Sequence, residues 1–141
     1  MKTKFDPIVK VKKNEVEKIK RDIQKINKAV MEITKKQEEL HSSLLRFSLP
    51  KSGNFSKIIQ AKEMQNILKN EIKNLENQIN MLQNRKKELL TELKKAEIEY
   101  EKMRYLQGEE IKKMIKRERL KESRDMDEIA ILLENGKNGH K

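Results

Sequence analysis

Over residues 5–47 apolar side chains recur after three and then four positions. One row holds Val9, Val16, Ile23, Val30, Gln37 and Leu44; the other holds Phe5, Lys12, Ile19, Ile26, Ile33, Leu40 and Phe47. Only Lys12 and Gln37 depart from it. About six heptads in one frame predict a long helix with a coiled-coil seam. Asp6 suits the N-cap and Pro7 the first helical position, where its missing N–H costs nothing. The stretch SLPKSGNFS, residues 48–56, then interrupts the frame, with Ser52, Asn54 or Ser56 placed to cap the next helix. A second frame has Ile58, Gln65, Ile72, Ile79, Lys86, Leu93 and Tyr100 on one row and Ala61, Leu68, Leu75, Leu82, Leu89, Ala96 and Met103 on the other. It lapses near Gly108, after which Ile111, Met114 and Ile115 fall on a shifted stripe.

Two such stretches joined by one break predict an all-α fold, an antiparallel two-helix coiled-coil hairpin in which helix 2 extends beyond helix 1. The expected layout is one domain, residues 1–141, with helix 1 about 7–47, a loop at 48–57 and helix 2 about 58–135. Gly136 is read as the C′ stop and 136–141 as a flexible tail. The tightest workable loop sets Phe47 against Ile58, so facing residue numbers sum to 105. Ile33 then meets Ile72, Gln37 meets Leu68 and Phe5 meets Tyr100. Residues 104–135 are left without a partner in this chain, roughly 30 residues or about 45 Å of helix.

Composition narrows the class. Charged residues make up 40% of the chain and aromatic residues 4%, with no Trp, so a compact globular core is not expected. The sustained heptad frame excludes disorder, which the same composition would otherwise suggest. The net charge of +11 favours an anionic partner, although a sequence rich in Lys, Asn and Ile also carries such an excess as a compositional bias. With no cysteine there is no disulfide framework and no thiolate chemistry. No apolar run approaches membrane-spanning length, and the first residues, MKTKFDPIVKVKK, lack the apolar region of a secretory signal.

One stretch invites chemistry. SRDMDEIAILLENG, residues 123–136, sets Asp125, Asp127 and Glu128 beside apolar side chains. A catalytic carboxylate pair needs a desolvated pocket to split its pKa values, and a lone helix offers none. The spacing of a calcium loop is absent. Met126, Ile129, Ala130 and Leu133 instead share one helical face, a docking stripe with a solvated acidic face opposite. Ahead of it, residues 112–124 carry seven Lys or Arg against two Glu. His41 and His140 form no triad with a Ser and an Asp, and no phosphate loop is present. No catalytic residue, metal, cofactor or small-molecule substrate is expected.

The stretches KFDPIVKVKKNEVEKIKRDI, RKKELLTELKKAEIEYEKMRYLQ and ESRDMDEIA together resemble the FliJ family of flagellar type III export over nearly the whole chain. The most specific pieces are the Phe5 and Pro7 start and the MDEIA end. The resemblance implies a stalk-like cofactor whose paired termini enter the export ATPase hexamer, and which also contacts the membrane export gate and export chaperones. It implies an ATPase-facing set of Phe5, Lys10, Lys13, Lys112, Lys113, Lys116, Arg117, Arg119, Arg124, Asp127, Glu128, Ile129 and Leu133. Met64 and Leu68 would face the gate. It also implies a cytoplasmic protein held peripherally at the inner membrane of the flagellar base.

Two other readings stand beside it. One is the structural coiled-coil stalk of another secretion system. The other is a basic coiled coil on nucleic acid, against which count the acids that interrupt every basic run and the lack of interleaved aromatics. Ile26→Asp or Ile79→Asp should unfold the hairpin, because each places a charge in the seam at a cost of several kcal/mol. Ile129→Asp should leave it folded. Circular dichroism melting of the three variants checks both halves, and unchanged melting in the first two would contradict the pairing.

Overall fold

The computed structural model describes residues 1–47 and 54–138. It contains two helices, α1 (Asp6–Arg46) and α2 (Phe55–Asn138), and no strand among the described residues. They pack as an antiparallel helical hairpin with α2 the longer. All 27 seam positions of the two heptad frames are at least half-buried, whereas most of their neighbours are exposed. The two periodicities therefore translate directly into the buried faces of the two helices.

The chain divides into two compact units. Val16–Lys95 holds the interior of the seam. Val16, Ile23 and Leu89 are its buried side chains, with Leu89 only 3% exposed. The rest of the seam is half-covered, as expected where two helices have only each other for shelter. The pairing register differs from the tight-loop expectation. The Gln37 amide Nε2 donates to the Ile72 carbonyl at 3.4 Å and to Glu76 Oε2 at 2.8 Å. Leu40 shares an open groove with Glu71 and Leu75, and Ile33 shares another with Gln78, Met81 and Leu82. Facing numbers thus sum to about 112 and not 105, a slip of one heptad. Ile23 comes level with Leu89 and Phe47 with Gln65, not with Ile58.

The physical reason lies in Gln37. A heptad slip carries apolar rows onto apolar rows, so burial alone separates the two registers weakly. Against Leu68 the Gln37 amide would lose the Glu76 carboxylate and meet Lys69 in its place, a donor that cannot accept its N–H. In the observed register it has two acceptors, each worth about 1 kcal/mol.

The helix ends also differ from expectation. The Asn54 carbonyl accepts from the N–H groups of Lys57 and Ile58, so α2 starts at Phe55, inside the span read as loop. Ser52, Pro50 and Gly53 lie outside the described residues. At the other end α2 passes through Gly136 to Asn138. A glycine costs about 1 kcal/mol within a helix but does not stop it without the left-handed turn that a C′ residue adopts. His140 and residues 139–141 lie outside the described residues.

Leu89→Ala should cost about 2–5 kcal/mol, read as a lowered melting temperature, since it empties the best-covered position of the seam. The register itself is testable with cysteine pairs. Leu40→Cys with Ile72→Cys should link readily within one chain, and Leu40→Cys with Gln65→Cys, the pair of the tight-loop register, should not.

Candidate functional site

The other unit, Met1–Glu15 with Ala96–Lys141, carries most of the residues expected to meet a partner. Its first feature is a capping arrangement that starts three residues before α1. The Thr3 hydroxyl accepts the Phe5 N–H at 3.2 Å and donates to Asp6 Oδ1 at 2.6 Å. Asp6 Oδ2 accepts the Thr3 N–H at 3.1 Å. This is the reciprocal capping box, with Asp in the place that Glu usually takes. Asp6 therefore acts as the reach-back residue and Thr3 as the cap, a correction to the expectation that Asp6 itself is the N-cap. The signal was present as Thr3 and Asp6 three positions apart. Pro7 sits in the first turn, where no N–H is required.

Asp6 also crosses to α2. Gln107 Nε2 donates to its Oδ1 at 2.9 Å. That bond first, then those from Thr3, hold the Asp6 carboxyl down to about 2 from its ordinary 3.8. The positions 6 and 107 sum to 113, so Phe5 comes level with about residue 107 and not with Tyr100. Residues 106–111 and Met114 are accordingly half-buried, although the heptad frame has lapsed there. The expectation that residues from 104 onward have no partner is corrected by this contact. The stretch that is exposed throughout runs over 115–136, about 22 residues and about 33 Å of helix.

That stretch keeps apolar and charged side chains in solvent. Met126, Ile129, Ile131, Leu132 and Leu133 are all exposed, Ile129 by 52% and Leu133 by 66%. Lys113, Lys116, Arg117, Arg119, Arg124, Asp127 and Glu128 are exposed as well. Lys112 is exposed and lies 3.4 Å from Glu109 one turn earlier. Among the described residues no ion pair forms beyond Lys112, so the spacings Lys121 with Asp125 and Arg124 with Glu128 do not close into bridges. Asp125, Asp127 and Glu128 do not converge: among the described residues no three His, Asp or Glu side chains gather in a metal-binding group.

The ATPase-facing set is not brought together as one cluster. Phe5 is half-buried, with the Lys4 ammonium 5.3 Å from its ring centre. Lys10 and Lys13 are exposed, but on α1 they run back along the paired segment, roughly 13–18 Å short of Lys112 by helical rise. What the fold assembles at the start of α1 is Thr3, Asp6 and Gln107. Nothing in the residue order marks Gln107, because a lone Gln after the frame's end carries no signal.

In the Val16–Lys95 unit, Met64 is 48% exposed and Leu68 is half-buried in the seam. They stand one turn apart, and Ile59 and Ile67 nearby are also exposed. The grooves along this seam are open to solvent. No helix there or elsewhere among the described residues is long and apolar enough to cross a membrane.

Since the folded Asp6 carboxyl lies below its unfolded value, its contribution to stability is complete above about pH 4 and is lost as pH falls through about 2. Titration of the Asp6 carboxyl by NMR should show the low midpoint, and Gln107→Leu should move it back toward 3.8. An unmoved midpoint would mean that the contact between the first turn and α2 is not formed in solution.

A family model described as Flagellar FliJ protein matches residues 1–139. No curated protein and no solved structure matches the chain.

Proposed function

The chain belongs to the FliJ family, which ties it to flagellar protein export, and from that membership we propose that it is the stalk-like cofactor of the export ATPase ring. The family is a non-catalytic component of that apparatus, which favours this role over the stalk of another secretion system. In the proposed role the exposed end of α2 enters the ring, and Met64 with the exposed apolar residues near it meets the export gate. Export chaperones are a third class of partner.

One observation carries the reading. Beyond about Ile115 a long helix stands free of α1 and keeps an apolar stripe in water. Such a stripe on a monomer marks a partner surface. The basic residues 112–124 would steer it toward an acidic or polar pore by long-range attraction. Lys113, Lys116, Arg117, Arg119 and Arg124 would act in approach, and Ile129 and Leu133 in the seated contact. Phe5 would shape the base of the rod through the first turn of α1. Lys10 and Lys13 would line the rim. The nucleic-acid reading lacks a comparable feature, because Glu118, Glu122 and the acids after Arg124 break the basic surface.

Deletion of residues 109–135 should abolish capture of the export ATPase in a pulldown while the hairpin stays helical by circular dichroism. Full retention of the ATPase by the deleted chain would refute the proposed contact. In the intact chain Ile129→Asp should weaken capture by tenfold or more, as expected for loss of an apolar anchor at a central position.

A further inference from the structure

The charge along the exposed end of α2 is divided into two blocks. Residues 112–124 carry seven Lys or Arg against two Glu, and residues 125–134 carry four acids and no base. A helix that needed only solubility would interleave the signs, since opposite charges three or four positions apart support it. The division instead makes the segment complementary to itself. When two copies are laid head to tail about a two-fold axis near residue 124, the basic block of each lies on the acidic block of the other.

The same axis exchanges one exposed apolar pair, while Met126 falls level with Glu122. Ile115, Met126, Ile129 and Leu133 fall on one helical face and are all exposed. The antiparallel register that opposes the charge blocks brings Ile115 level with Leu133. It also brings Arg119, whose stem is apolar, level with Ile129. A parallel pair would place like charge against like. We propose that the exposed end of α2 pairs antiparallel with the same segment of a second copy of this chain, forming an isologous contact of the kind most homodimers use. The contact covers the stripe that the ring would bind, so the paired and ring-bound forms exclude one another. The pairing does not rest on the ATPase reading and is measured without that partner.

The chain has no cysteine, which makes single-cysteine variants of the full chain direct reporters. Ile115→Cys and Leu133→Cys are treated with a short bis-maleimide, each alone and as an equimolar mixture. In the antiparallel pair the two copies of either position lie about 27 Å apart, beyond the linker's reach, so only the mixture should give a linked dimer. Links in each single variant mean a parallel pair, and no link in any sample means no pair; either result overturns the proposal. Sedimentation of the unmodified chain should show a dimer at low salt that dissociates at high salt, because exposed charge is screened. Ile129→Lys, which sets a positive charge level with Arg119 of the other copy, should remove that dimer with helicity unchanged. A dimer that survives the substitution is held elsewhere and overturns the assignment to this face.

Discussion

The fold depends on how two heptad rows choose one alignment out of several that bury the same side chains. Repetition every seven residues makes a coiled-coil seam strong and also makes it ambiguous, because a slip of seven returns apolar rows to apolar rows. Polar groups decide where apolar burial does not. Gln37 finds the Ile72 carbonyl and the Glu76 carboxylate in one unit, and Asp6 finds the Gln107 amide in the other. Each contact is modest by itself, yet each would be lost outright by a one-heptad shift. Gln37, the Gln that interrupts the seam of α1, is thus a register mark, as polar residues in coiled-coil seams commonly are.

That register determines what is left over for binding. In the alignment with the shorter loop, the free part of α2 would begin near residue 104. The observed alignment moves its start to about residue 115, and Gln107 joins the first turn of α1. The free segment is shorter and its base is fastened. The exposed segment so defined is richer in exposed Ile, Leu and Met than any other stretch of α2. The two blocks differ in kind: residues 112–124 are mainly basic, and residues 126–133 hold the exposed apolar stripe.

The first turn shows how a small polar group can hold a thin structure together. Among the described residues the seam has only Val16, Ile23 and Leu89 as buried side chains, so little buried core anchors its ends. A capping box on Thr3 and Asp6, extended by Gln107, supplies that anchor with directional bonds. Three donors converge on one carboxylate, which is why its proton is released at a lower pH than usual.

Much of this was legible in the residue order. Seam positions, the two-helix class and the free apolar stripe at Met126, Ile129 and Leu133 all come from periodicity and local chemistry, which act over one or two turns. Gly136 misled, because a glycine signals a helix end only when the backbone turns left-handed there. The sequence alone determined which faces are buried, since the spacing of apolar side chains on a helix admits one answer. Only the tertiary structure decided which turn of α1 meets which turn of α2. That choice rests on hydrogen bonds between residues 35 to 101 positions apart, and no local pattern encodes a bond across such a distance.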